Sequence, residues 1–294
     1  AKLFKVDIHT AAIASAAMCP MNSLALAMHN YHDVYGCLPP AYVADASGKP
    51  MHSWRVLILP FVEERELYEE YDFNEPWDGP NNRKLADRMP RIFHCLSEPE
   101  SNTYTNFVVI GGPGTAFPDG KSTSFGDFRD GMGETILIAE IANSLTCWLE
   151  PRDLDVGQMS FSVNDETRPS ISSSRRQGPY VVLADSIHCY WVSESLTPEA
   201  LRALTTIAGQ EAMYVAEIDG VGLTSPAPGP ASDAALKRWG DWKGVRTLWL
   251  SRSPVTHAGL AELADAADLR KIHLQGTGIP DKATEGPPVA GAER

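Results

Sequence analysis

The 294-residue sequence is short of positive charge: 25 Lys and Arg stand against 38 Asp and Glu, a formal net charge of −13. An acidic surface repels phosphate backbones and anionic headgroups, which argues against nucleic acid or an anionic membrane surface as a partner. The chain also lacks an apolar run long enough to span a bilayer. The longest such stretch near the start, Thr10 to Met18, is Ala-rich and short, and it has none of the basic-then-hydrophobic layout of a secretory signal. The expectation is either a cytoplasmic protein or a chain that begins after a removed leader or anchor. In the second case it belongs at the cell surface or in a periplasmic or extracellular space. Cysteine is scattered: Cys19, Cys37, Cys95, Cys147 and Cys189 form no CxxC pair, which removes the usual structural zinc spacing. The odd count leaves at least one thiol unpaired, and one or two disulfides stay open for an exported chain. Neither a G-x-S-x-G elbow nor an HExxH helix is present. The Gly111–Gly114 run lacks the Lys-Ser/Thr of a phosphate loop, and Pro113 removes a backbone donor, so it reads as a turn.

What is present is a series of Trp-, Pro-, Gly- and Asn-rich words in fixed order: HNYHDVYGCLPP from His29, SWRVLILPFVEERELY from Ser53, NEPWDGPNNR from Asn74, GPGTAFPDG from Gly112, DGMGETILIAE from Asp130 and WLEPRDLD from Trp148. Residues Thr10 to Tyr35 read as a helix with a buried stripe of Leu24, Met28, Tyr31 and Tyr35, ended by Gly36 and Pro39-Pro40. A short amphipathic helix is expected over Phe61 to Tyr71, and another helical turn over Arg83 to Met89. Strands are expected at Asn106 to Ile110, Thr135 to Ile141, and Tyr180 to Ala184 paired with Ser186 to Val192 around Asp185. Gly157 to Gly178 reads as a flexible polar loop, and Pro198 to Ile207 as a helix capped by Thr197.

From about Ala212 the pattern changes. VRTLWLSRSPVTHAGLAELADAAD from Val245 recurs as LRKIHLQGTGIPDKA from Leu269, about 24 residues on, and SDAALKRWGDWKGV from Ser232 matches THAGLAELADAADL from Thr256. The pairs are Val245 with Leu269, Leu248 with Ile272, Leu250 with Leu274 and Val255 with Ile279. Strand-then-helix units of this period carry the leucine-rich-repeat signature, and such units must stack to bury their faces. The tail from Pro280 is Gly/Pro-rich and reads as disordered.

Three sets of side chains are candidates for chemistry or contact. His29, His32 and Asp33 share a helical face and could hold a divalent metal with a further ligand; the alternative is that the pair packs and hydrogen-bonds around Tyr31 and Tyr35. Asp127, Asp130 and Glu134, with Glu140, offer hard oxygen ligands beside turn glycines, as do Glu150, Asp153 and Asp155. Calcium suits that chemistry, although no EF-hand spacing is present; capping or solvated carboxylates are the alternative. Trp54, Trp77, Trp148 and Trp191 are either core anchors or interface residues. Glu140, ending a buried strand, is expected to pair with an Arg, for which Glu150-Pro151-Arg152-Asp153 could supply the partner.

The words AMHNYHDVYG, SWRVLILPFVE, PWDGPNNR, PGTAFPDG, DGMGETILIAE and EPRDLD, from Leu24 to about Ala212, resemble the DUF1559 family, PulG-like pseudopilin-related proteins abundant in planctomycetes. The wording VTHAGLAEL in the tail is also of a planctomycete-like type. The resemblance implies an α+β, pilin-like fold, with an N-terminal helix packed on an antiparallel sheet with long loops. Some pseudopilins carry a calcium site. The family has a His followed at a fixed distance by Asp-Gly; here Arg175 stands at the His position and Asp185-Ser186 at the Asp-Gly position. The family's leader and long hydrophobic helix have no counterpart in AKLFKVDIHTAAIASAAM. The expected organisation is a pilin-like domain over 1–211, a leucine-rich-repeat-like unit over 212–280 and a tail over 281–294. The expected role is non-enzymatic: a structural subunit that associates with itself or with other pilin-like subunits, with no resident cofactor unless calcium. The alternative is a soluble ligand- or protein-binding module that uses the repeat tail and the polar loop.

Overall fold

The structure is a computed structural model that describes residues 19–95, 101–219, 222–225, 231–240 and 242–279. The helical expectation over Thr10 to Met18 and the disordered-tail expectation from Pro280 lie outside the described residues. The described helices are α1 (Met21–Tyr35), α2 (Trp54–Leu57), α3 (Arg65–Glu70), α4 (Pro198–Ala203), α5 (Asp233–Trp239) and α6 (His257–Ala261). The strands are β1 (Tyr42–Ala44), β2 (Pro50–Ser53), β3 (Tyr104–Thr105), β4 (Phe107–Val108), β5 (Ile110–Gly111), β6 (Ile136–Glu140), β7 (Thr146–Cys147), β8 (Leu154–Asp155), β9 (Tyr180–Leu183), β10 (Cys189–Val192), β11 (Val215–Ile218), β12 (Gly222–Thr224), β13 (Val245–Trp249) and β14 (Lys271–His273). The fold is mixed α+β.

One eight-stranded sheet runs in the order β14-β13-β11-β12-β10-β9-β6-β4. Its pairs are antiparallel except β10 with β12 and β13 with β14. Towards the β4 edge of this sheet lie β9 and β6, whose residues are all buried. That explains their continuous apolar sequences, ILIAE and YVVL: a strand covered on both faces has no solvent side to make polar. On β9, Tyr180 and Val182 enter one core cluster, whereas Val181 and Leu183 enter another, as the two-residue period of a strand requires.

Helix α1 covers the first face, lying on β9 and β6. It buries Met21, Leu24, Ala25, Ala27 and Met28. It stops where Gly36 takes a left-handed φ of 73° and its N–H reaches the His32 carbonyl at 2.7 Å, the conformation a helix-ending glycine adopts without a Cβ penalty. The expected stripe is buried only in its first half: Tyr31 is half-buried and Tyr35 is 58% exposed. The reason is local. Past Met28, Tyr31 and Tyr35 pack on each other and on Phe61.

The second face carries α4, with Ala200, Leu201, Ala203 and Leu204 buried against Val181, Leu183 and Val192. Thr197 caps α4 by accepting from the Ala200 N–H at 3.3 Å. The stretch 157–178 has no regular element, yet it is anchored by buried Met159, Phe161 and Ile171 in this second core. The expectation of a loose polar loop is corrected by those three apolar anchors.

The C-terminal strands continue the same sheet. The boundary expected at 211/212 falls just before β11, which pairs with both β12 and β13. β13 and β14 are parallel, with Thr247 facing Lys271, Leu248 facing Ile272 and Trp249 facing His273. The spacing of about 24 residues legible in the sequence is therefore the register of this pair. The caps repeat with it: Ser232 caps α5 and Thr256 caps α6.

Candidate functional site

Glu140 ends β6 with its side chain fully buried, and it organises a buried polar cluster. Its Oε1 accepts from the Cys95 thiol at 3.1 Å and the Ser173 hydroxyl at 3.2 Å. Its Oε2 accepts from the Tyr180 backbone N–H at 2.8 Å and from the Arg175 guanidinium. A carboxylate offers about four acceptor positions, and four donors fill them. Burial pushes Glu140 above the ordinary carboxylate range, opposed by the Arg175 charge and then by these hydrogen bonds. Arg175 in turn lies over the Tyr180 ring, 4.1 Å from its centroid, and donates to the Cys95 sulfur at 2.9 Å. The Arg partner expected for Glu140 is thus Arg175, while Arg152 pairs with Glu150 at 3.0 Å. Chemically the arrangement neutralises a buried charge and ties two segments, the one at Cys95 and the 157–178 stretch, to the sheet; the carboxylate has no lone pair left over for an incoming ligand.

A second cluster joins the two parts of the sheet. Glu134 accepts from the Ser251 hydroxyl and from Arg252 at 2.7 Å. Asp130 accepts from the Gly209 and Gln210 backbone N–H groups at 2.8 and 3.0 Å and from Thr206 at 3.2 Å, with Arg252 3.9 Å away. Arg252 also donates to the Glu211 carbonyl at 2.7 Å from a backbone φ of 58°, a region that non-glycine residues seldom occupy. Asp127, grouped with these carboxylates by sequence, turns elsewhere. It accepts from the Ser124 N–H at 2.7 Å and hydroxyl at 3.0 Å as a capping box, and those hydrogen bonds hold it below the usual carboxylate range. The second carboxylate set disperses in the same way. Asp153 pairs with fully buried Arg55 at 2.7 Å and also accepts from Trp54 and from the Val109 N–H. Asp155 accepts from the Gly157 N–H at 2.7 Å.

His29 and His32 grip Phe125. Their rings lie 4.8 and 4.0 Å from its centroid, and His32 Nε2 accepts from the Phe125 N–H at 3.3 Å. Burial pushes His29 below its ordinary value, opposed by its hydrogen bond to the Ala184 carbonyl. This ties α1 to the turn that carries Asp185. Among the described residues, no group of three or more His, Cys, Asp or Glu side chains is placed to hold a metal ion.

Of the four tryptophans, Trp54 and Trp148 are fully buried, so neither can reach a partner from this fold, and the interface reading of these two is corrected. Both pack against Phe93, and the Trp148 indole N–H donates to the Ala86 carbonyl at 3.2 Å. Trp77 and Trp191 are half-buried. Trp191 lies over Gly222, where an added Cβ would collide with the indole, so glycine is required where β12 meets β10. Arg55, Cys95, Ser173 and Arg252 were not singled out from the sequence. Only Arg55 left a signal there, as a lone charge at the head of the apolar run SWRVLIL.

A cavity of about 290 Å³ opens between the 157–178 stretch and α4, lined by Ser160, Phe161, Ser162, Arg168, Pro198, Glu199 and Arg202. Arg202 stacks on Phe161, 3.9 Å from its centroid.

Residues 18–121 match the family model described as "Protein of unknown function (DUF1559)". The match takes in α1 and the words from HNYHDVYGCLPP to GPGTAFPDG, whereas DGMGETILIAE and WLEPRDLD lie beyond it. No curated protein and no solved structure matches the chain. Among the described residues, no helix is long and apolar enough to cross a membrane.

Proposed function

We propose that this chain is a non-enzymatic, pseudopilin-like assembly subunit that associates through the outer face of α1. The observation that carries the reading is the composition of that face: Leu26 is 47% and Val34 64% exposed beside Ser23, Asn30 and Asp33, and the helix ends in exposed Tyr35. Apolar side chains held on a rigid, solvent-facing helix gain free energy only when a partner covers them. The α1-on-sheet packing and the match to DUF1559 support the pilin-like part of the reading. The repeat register of β13 and β14 supports reading the C-terminal strands as leucine-rich-repeat-like. The buried carboxylates add indirect support, since Glu140, Asp130, Glu134 and Asp153 are engaged as internal ties. Electron microscopy of the purified chain at high concentration tests the proposal: filaments, sheets or regular oligomers are expected, and a Leu26→Glu/Val34→Glu variant should yield single particles. A field of single particles for the unaltered chain would overturn it.

A second reading, a ligand-binding module, is favoured by one observation. The cavity beside α4 presents two arginines and two serine hydroxyls on an otherwise acidic protein. A specific micromolar ligand from a sugar and peptide screen, lost in Arg168→Ala, would favour it over the assembly reading.

A further inference from the structure

On a protein of net charge −13, two guanidinium groups, those of Arg168 and Arg202, line the cavity beside α4. Among the described residues neither is ion-paired with a carboxylate. Each is instead steadied from the protein side by a buried residue. Arg202 lies over Phe161, its guanidinium carbon 3.9 Å from the ring centroid, and a cation held by a π-face spends none of its five donors on it. Arg168 Nη2 donates to the hydroxyl of buried Ser160 at 3.4 Å, and that hydroxyl also accepts from the Ser162 N–H at 3.2 Å. Asp165, the carboxylate closest to Arg168 in the sequence, is turned to Thr167, whose N–H and hydroxyl reach it at 2.8 and 2.7 Å. Two arginine forks are thus left with donors to spare at one cavity.

The rest of the lining narrows the ligand. Phe161 is buried in the second core beneath Arg202, so it offers little open ring surface to an aromatic or apolar ligand. Glu199 is exposed at the same cavity, one turn before Arg202 along α4. A carboxylate only accepts, so Glu199 calls for a donor on the ligand, and it disfavours a doubly charged phosphate more than a singly charged group. The volume of about 290 Å³ is at the small end for ligand pockets, which suits a small molecule. We propose that this cavity binds a small carboxylate that also carries hydroxyl or ammonium groups. Arg168 and Arg202 take the carboxylate, as their planar forks are shaped to do, and Glu199 takes a hydroxyl or ammonium donor. The inference rests on the ligand-binding reading and is independent of assembly through α1.

The test is isothermal titration calorimetry of the full chain at low salt with two carboxylates, D-glucuronate for the hydroxyl arm and L-alanine for the ammonium arm. D-glucose, acetate and inorganic phosphate are the comparators. One or both carboxylates should saturate a single site, with each comparator about tenfold weaker or more. Arg168→Ala and Arg202→Lys should each weaken binding about tenfold or more, with unchanged circular dichroism; both side chains are exposed, and the lysine keeps the charge but loses the fork. Absence of binding by both carboxylates, phosphate binding as tightly as either, or binding unchanged in both variants would overturn the proposal. A neutral sugar or a peptide that binds and is lost in Arg168→Ala, where neither carboxylate binds, would sink the carboxylate class and leave the ligand-binding reading standing.

Discussion

The two halves of the sheet are held together in different ways. In the half formed by β4, β6, β9 and β10, the ties are single, long-range and charged: Glu140 gathers Cys95, Ser173, Arg175 and Tyr180. Arg55 likewise reaches the Phe107 carbonyl and Asp153. In the other half, where α5 precedes β13 and α6 precedes β14, the ties are local and repeated. Asp233 holds the Thr256 N–H and hydroxyl at 2.8 and 2.6 Å. Asp268 holds the Gly244 N–H at 3.0 Å, and the Arg246 carbonyl accepts from Arg270 at 2.8 Å. Each of these contacts joins one unit to the next. The difference decides how each half should fail. A buried charge network is all-or-nothing, because removing one member strands the others. Short ties between neighbouring elements are lost one at a time. Arg252, with Glu134 and Asp130, is where the two regimes meet.

The largest effect should come from breaking the charged half. Glu140→Ala leaves Arg175 without its counter-ion and is expected to cost about 3–5 kcal/mol, read as a fall in the urea midpoint. Replacing both partners, Glu140→Leu with Arg175→Met, should recover most of that loss. A loss below about 0.5 kcal/mol for the single variant would mean that this half is not held by its network. An intermediate effect is expected at the junction. Arg252→Ala leaves buried Glu134 with only the Ser251 hydroxyl and should cost about 2 kcal/mol. Relative to the unaltered chain, hydrogen exchange should then show a larger loss of protection in β13 and β14 than in β6 and β9. The smallest effect belongs to the repeated half. Thr256→Ala removes the α6 cap and the hydroxyl contact to Asp233, leaving the backbone one, for about 1 kcal/mol, with faster exchange confined to α6 and its neighbours. If protection of β9 fell equally, the claim of local, additive ties would fail.

The parts of this architecture that could be read from the sequence are those with a period or a local signature. ILIAE and YVVL announce strands buried on both faces, Thr197-Pro198 announces a capped helix, and the recurrence from Val245 to Leu269 gives the pairing register of β13 and β14. The charged ties carry no such mark. Nothing in the spacing of Glu140 and Arg175 distinguishes that pair from Glu140 and Arg152, because the partner is chosen by where an irregular stretch returns to the sheet. The apolar anchors of that stretch, Met159 and Phe161 with Ile171 ten residues further on, are too few among polar residues to register as a pattern. Tyr35 shows the converse: helical spacing says which residues share a face, but not how far along that face the core extends.

On the proposed reading another subunit covers the outer face of α1, while the buried ionisable groups serve as internal ties. Sedimentation velocity across a wide concentration range tests it most directly, with the unaltered chain beside Leu26→Glu/Val34→Glu. The account predicts a sedimentation coefficient that climbs with concentration for the unaltered chain and stays at the monomer value for the variant, with the same circular dichroism for both. A monomer at every concentration for the unaltered chain, or unchanged association in the variant, would contradict it.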